Sequence, residues 1–152
     1  MKYYIKQVLY ISAIIGGVLG IFSLIPYFMC LGSLIFCIIS VITIIFLKRN
    51  GYAGVISLND GTVIGAISGF IGAAAACLVY MPLAFIGAII FKQPLLFKFN
   101  DLIFIVPITI VVFGMLGAIM NAFCGMVTAY LYEKLEKDRQ EEEQVDFIID
   151  EE

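Results

Sequence analysis

The sequence has no histidine and no tryptophan, and only 14% of its 152 residues are charged. The missing imidazole removes the commonest metal ligand and the commonest general base at neutral pH. Soluble domains carry about a quarter of their residues as Asp, Glu, Lys or Arg, so this chain has too little charge to clothe a water-soluble globule. The charges present are also confined. None falls between Gln7 and Leu47, between Thr62 and Phe91, or between Leu102 and Tyr132. Proton-coupled pumps and transporters depend on ionisable groups inside the membrane. Their absence from these tracts argues against that class and leaves passive conduction open. It speaks equally against intramembrane hydrolysis by a Ser–His pair or a bound metal. No catalytic, cofactor-binding or metal-ligating residue is expected.

What the chain has in abundance is apolar: 62% of its residues are hydrophobic, with a mean hydropathy of +1.07. A spanning helix needs roughly 20 apolar residues; the first charge-free tract is about twice that length and the other two about half as long again. The pattern predicts an all-α, polytopic integral membrane protein built as a four-transmembrane-helix bundle. The first tract divides at "IPYFMCLGS" (25–33), where Pro26 and Gly32 bracket a turn, giving span one over 8–27 and span two over 29–47. Span three is expected over 61–82 with an extension to 91, entered through an Asn59 or Asp60 cap, and span four over 102–132. Residues 1–132 then form the transmembrane domain, and 133–152 a cytoplasmic helical extension and acidic tail. Lys2 and Lys6 precede the first apolar run as in a signal peptide. The run continues to Leu47 without a small-residue cleavage site, so an uncleaved span is expected.

Basic residues near the spans set orientation. With both termini cytoplasmic, seven (Lys2, Lys6, Lys48, Arg49, Lys134, Lys137, Arg139) lie inside and two (Lys92, Lys98) outside. Tyr3, Tyr4, Tyr52, Tyr130 and Tyr132 fall at the inner interface and Tyr27 and Tyr80 at the outer, where an apolar ring with a wet hydroxyl is at home. As one straight helix, Thr62–Phe91 would reach about 45 Å, longer than the roughly 30 Å hydrocarbon core. Pro82 is therefore expected to kink the third helix at the outer surface, and Pro107 to place the first turn of span four at the outer interface.

The stretch "NDGTVIGAISGFIGAAAA" (59–76) poses a choice, since glycine-rich segments either cradle phosphates or let helices touch. A phosphate loop of the G-x-x-x-x-G-K-[ST] kind needs its lysine, and no basic residue lies between Arg49 and Lys92. The G-x-G-x-x-G spacing is absent too. Gly61, Gly65 and Gly69 instead repeat at four-residue intervals, continued by Ala73 and Cys77, with Gly72 beside them. On a helix these positions form one stripe against which a neighbouring backbone can approach closely. Span one answers with Ser12, Gly16 and Gly20, and span four with Gly117, Asn121, Gly125 and Ala129. Span two is rich in isoleucine, with only Ser33, Cys37 and Ser40, and is expected to be the more lipid-exposed. The phrases "GVLG" (17–20), "GFIG" (69–72) and "GMLG" (114–117) echo one another and leave an old hairpin duplication open.

Asn121 is the one strongly polar side chain well inside a span. It is read either as a hydrogen-bonding tie between helices or as a contact for an ion or substrate. The four cysteines, Cys30, Cys37, Cys77 and Cys124, are read as small packing residues. Cys30 and Cys77 are the only pair at matching expected depth. Seven acidic and no basic residues occupy 141–152, around the apolar trio Phe147, Ile148 and Ile149. The tail is either solvated and disordered, held off an anionic surface by its charge, or a docking motif whose trio fills a partner's pocket.

Asp60, Gly61, Gly65, Gly69 and Gly72 carry a resemblance, over residues 52–76, to a broad group of small, uncharacterised four-span bacterial membrane proteins. In that group a cytoplasmic loop ends in an Asp-Gly pair before a glycine-rich third span. The resemblance implies a bacterial inner-membrane location and supplies no catalytic residues. The expected role is a non-catalytic bundle serving as a subunit or scaffold. The alternative is a small oligomeric channel or transporter with a path near Asn121. The expected partners are the lipid bilayer and either another copy or a second membrane protein, with no nucleic acid and no cofactor.

Overall fold

The computed structural model describes the backbone of residues 5–52, 54, 56–91 and 99–149, and within these the side chains of 5–25, 36–52, 54, 56–91 and 103–138. It is an all-α bundle of four helices: α1 (Ile5–Phe22), α2 (Pro26–Arg49), α3 (Leu58–Ile90) and α4 (Phe99–Ile149). Ile5–Phe22, Leu58–Ile90 and Ile103–Asp138 are each long and apolar enough to cross a membrane. The outward faces carry large apolar side chains, among them Phe104, Ile108, Ile119 and Phe123, all more than 60% exposed. Such a surface suits hydrocarbon better than water.

The first turn is tighter and earlier than the sequence suggests. α1 ends in a pair of three-residue bonds, Leu24 N–H to Ile21 O at 3.2 Å and Ile25 N–H to Phe22 O at 3.0 Å. Pro26 is the cause. Its ring disfavours helical backbone in the residue before it, and Ile25 is extended, with φ −84° and ψ 117°. Proline itself suits a first helical position, where an N–H would have no partner. The break is thus Ser23–Ile25, and Gly32 lies within α2 rather than in a turn.

α2 closes in a Schellman motif. Gly51 has φ +68°, its N–H bonds Lys48 O at 3.1 Å, and Tyr52 N–H bonds Leu47 O at 3.0 Å. That left-handed residue is where glycine's freedom is required, and it turns Tyr52 back along the helix. α3 then opens with a cap that neither Asn59 nor Asp60 supplies. Ser57 Oγ accepts from Asp60 N–H at 3.2 Å and donates to Asp60 Oδ2 at 2.8 Å. Ser57 is thus the N-cap and Asp60 the third helical residue. α3 passes through Pro82 and ends at Ile90, with Phe91 N–H closing on Gly87 O at 2.9 Å. α4 begins at Phe99, and Pro107 sits about two turns inside it. The helix then continues unbroken through the charged segment to Ile149, so the backbone of the acidic region is helical to that point.

α3 is the central helix. It packs most extensively on α4 and next on α1, while α2 touches all three neighbours; among the described residues α1 and α4 do not meet. Register follows from the contacts. Gly61, Gly65 and Gly69 lie against Gly125, Asn121 and Gly117, an antiparallel sequence, whereas Gly16 and Gly20 lie against Gly72 and Ala76, a parallel one. One end of the bundle is closed by a cluster of Val8, Ile44, Leu47, Ile56, Ile64 and Ala129, with Ile67 and Tyr132 packed on it.

The described half of α2 has one buried and one exposed face. Ile39, Ser40, Thr43, Ile44 and Leu47 are wholly buried. Their spacing of three, four and seven residues makes one helical face, and Ile38, Ile42, Ile45 and Phe46 form the exposed opposite side.

Candidate functional site

The middle of the bundle is built around the small residues of α3. A Cβ added to Gly65 would run into the Asn121 carbonyl oxygen and lie 3.0 Å from Ala122 Cα. One on Gly61 would lie 2.7 Å from Gly125 O and strike the Ala129 methyl, and one on Gly69 would meet the Gly117 carbonyl and Asn121 Cβ. The facing helix is equally tight: Gly117 is 2.8 Å by this measure from Gly69 O, and Gly125 is 3.0 Å from Gly65 Cα. Across α1, a Cβ on Gly16 would lie 2.6 Å from Gly72 Cα, and one on Gly20 would lie 2.7 Å from Ala76 O. Apart from the Ala129 methyl and Asn121 Cβ these obstacles are backbone atoms, and none can rotate away as the end of a longer side chain can. Gly72 adds a third neighbour, with Ile39 Cδ1 at 2.7 Å and Ser12 O at 3.4 Å, so α1 and α2 both reach α3 at this level. By contrast a Cβ on Gly17 would make no more than ordinary contact, 3.9 Å from Val79 Cγ2, and the atoms nearest to one on Gly114 belong to the rotatable ring of Phe70.

Asn121 is fully buried. Its Oδ1 accepts from the backbone N–H of Ser40 in α2 at 3.0 Å, and its Nδ2 donates to Gly117 O one turn back at 3.0 Å. The amide therefore joins α4 to α2 while its backbone presses on α3. Sequence reasoning identified Asn121 but not its partner, because a backbone amide inside a helix leaves no signature in the sequence. Buried hydroxyls surround this level. Thr43 Oγ1 donates to Ile39 O at 2.7 Å, Ser68 Oγ to Gly65 O at 3.0 Å, and Ser40 Oγ to Cys37 O at 3.2 Å. Each returns to its own helix, so it is satisfied without bridging. Ser12 differs: it is fully buried, and its Oγ has no partner.

Cys37, Cys77 and Cys124 are thiols, none in a disulfide. The side chains of Cys37 and Cys124, which the sequence places at different depths, interact across α2 and α4. Cys30 lies outside the described side chains. So do Phe147, Ile148 and Ile149, whose backbone forms the last turn of α4.

Toward the closed end, Lys48 of α2 pairs with Glu136 of α4, and its ammonium stands 5.6 Å from the centre of the Tyr132 ring. On the other side of α2 is a cavity of about 390 Å³ lined by Lys6, Gln7, Tyr10, Ile11, Phe46 and Tyr52. Lys6, Gln7, Tyr10 and Ile11 share one face of α1 by their spacing. Phe46 comes from the exposed side of α2, and Tyr52 is delivered by the turn at Gly51. Gln7 Oε1 is shielded from solvent and has no hydrogen-bond partner.

Chemically, the bundle centre offers amides, hydroxyls and thiols, with no carboxylate, imidazole or amine among the described residues. It can hold helices in register and bind through neutral dipoles, but has no strong acid or base to move a proton. No protein family, curated protein or solved structure matches the chain at a significant level.

Proposed function

We propose that the chain is a four-span protein of the bacterial inner membrane, with both termini cytoplasmic, that acts as a non-catalytic subunit or scaffold. The state of Asn121 carries this reading. The one strongly polar side chain at mid-bundle is buried and committed through both of its amide groups to α2 and to its own helix. A conducting path would need such a group turned toward water or a permeant. The backbone contacts around Gly61, Gly65, Gly69, Gly117 and Gly125 support the same view, forming a glycine-zipper surface that sets helix spacing. The second half of α2, ending in Lys48 and Arg49, supports a fourth span and an inner position for that end. Its exposed apolar faces suit the lipid bilayer and also contact with another copy or a second membrane protein.

Ion and small-solute flux through proteoliposomes tests the reading. Wild type and Asn121→Leu are both expected to give only the background leak of protein-free vesicles. Selective flux in the wild type that disappears in the variant would replace the scaffold with a channel.

A further inference from the structure

We propose that the outer end of the α3–α4 hairpin is a lipid-selective surface that takes phospholipids with long acyl chains, while the α1–α2 hairpin beside it fits a bilayer of ordinary thickness. The proposal rests on the membrane reading and names the class of lipid that reading leaves open. Its basis is register. Gly16 and Gly20 of α1 lie against Gly72 and Ala76 of α3, and this constant offset sets Lys6 level with Thr62 and Phe22 level with Leu78. Leu47 of α2 and Ile64 of α3 share the closed-end cluster, so Lys6, Lys48, Arg49 and Asp60 stand near one height. The bundle is therefore flush at its inner end and stepped at its outer end. α1 stops at Phe22, but α3 goes on from Leu78 to Ile90, about 18 Å more at the helical rise. Gly65 and Gly69 face Asn121 and Gly117, so the antiparallel register sets Ile108 of α4 level with Leu78 and runs 99–107 alongside the step. Pro82 and Pro107 both lie inside their helices, so neither helix stops at the height of α1.

The step is apolar. Ile86, Ile89, Ile90, Phe91, Ile103 and Phe104 are all more than half exposed, and no charge occurs in 62–91 or 103–132. These side chains continue the exposed face of α4 at Ile108, Val112 and Met115, a face suited to hydrocarbon rather than water. Acyl chains are thus the occupant that covers both without a break. Their length follows from the helices. From Lys6 to Phe22, α1 supplies about 25 Å, which with its turn matches the roughly 30 Å hydrocarbon core. From Thr62 to Phe91, α3 supplies about 45 Å. Seating that length by tilt alone would take about 48°, outside the roughly 0–40° that spanning helices adopt. What tilt leaves over is met by a locally thicker bilayer, which longer chains supply.

The absence of tryptophan allows each side to be read alone. Full-length Phe104→Trp, at the step, and Ile21→Trp, on the exposed outer end of α1, are reconstituted in brominated dioleoylphosphatidylcholine, whose bromines quench the single indole. Unlabelled phosphatidylcholines with shorter (dimyristoleoyl) or longer (dierucoyl) chains then compete for the surface, and relief of quenching gives their relative affinities. In Phe104→Trp the longer lipid is expected to be preferred by about threefold, the factor that fractions of a kcal/mol supply. In Ile21→Trp it should have no advantage. Ile103→Trp repeats the first reading should Phe104→Trp not fold. Equal affinities at the step, or the same long-chain preference at both positions, would overturn the proposal and leave the membrane reading intact. So would an indole at the step that brominated lipid fails to quench while Ile21→Trp is quenched, an outcome that assigns the step to another copy or to water. Failure of the protein to float with the vesicles would overturn the membrane reading and the lipid selectivity together.

Discussion

The two helices that embrace α4 do so in different ways. α3 meets it backbone to backbone: Gly61, Gly65 and Gly69 leave no room for even a methyl group against Gly125, Asn121 and Gly117. α2 meets it through side chains: the Asn121 amide reaches Ser40 N–H, and Lys48 pairs with Glu136. The first interface draws on many short dispersion contacts, each about 0.1–0.2 kcal/mol, that are lost together when the helices separate. The second draws on a few polar contacts, each replaceable. Within apolar surroundings the hydrophobic effect does not discriminate between helix and lipid, so close approach is what makes α3 the central helix. α2 tolerates more variety because its side chains can adjust.

That contrast sets an order of expected effects. Gly65→Val places two methyls where the Asn121 carbonyl stands, and should lower unfolding free energy by about 3 kcal/mol, the upper part of the overpacking range. Reversible denaturant unfolding in one fixed mixed micelle measures it; a loss as small as that of a surface substitution would contradict backbone contact. Asn121→Leu removes the tie to α2 and should cost about 1–2 kcal/mol. Ser40→Ala, which keeps the backbone N–H, should cost much less. If the two losses were equal, the Ser40 hydroxyl rather than its amide would be the true partner. Gly17→Ala should stabilise by about 0.5–1 kcal/mol, because alanine is the better helix former and nothing lies closer than 3.9 Å. Lys48→Met should have the smallest effect, about 0.5 kcal/mol and fading with salt, since the pair is only part-buried, with the Glu136 end 45% exposed, and ion pairs open to solvent contribute little.

The same contrast explains what could be read from the sequence. Backbone-to-backbone packing leaves a clear trace, because it demands glycine at a fixed four-residue interval. Gly61, Gly65 and Gly69 and their counterparts Gly117 and Gly125 were therefore legible as a facing set. Side-chain packing leaves a weak one. The buried face of α2 is Ile39, Ser40, Thr43, Ile44 and Leu47, yet isoleucine also fills the exposed face, so hydropathy cannot separate them. The Ser40–Thr43 pair, three residues apart, was the available clue to an inward face. Helix ends were misplaced for a similar reason. Ser57, Asn59 and Asp60 are all good capping residues, and what decides between them is the reciprocal Ser57–Asp60 geometry. The cavity lined by Lys6, Gln7 and Tyr52 was not legible at all, since Tyr52 joins the other two only through the left-handed turn at Gly51.

The central claim is that contact with the α3 backbone, rather than glycine content as such, holds the bundle. Gly16 and Gly17 are adjacent in α1 and gain the same helix propensity on becoming alanine. Gly16 meets the α3 backbone, where an added Cβ would lie 2.6 Å from Gly72 Cα, whereas one on Gly17 would come no nearer to α3 than 3.9 Å from the Val79 side chain. Unfolding free energies of Gly16→Ala and Gly17→Ala, measured side by side in the same micelle, are the direct test. Gly16→Ala is expected to be destabilised by about 1–3 kcal/mol, while Gly17→Ala is at least as stable as the wild type. Equal shifts in the two variants, of either sign, would contradict it.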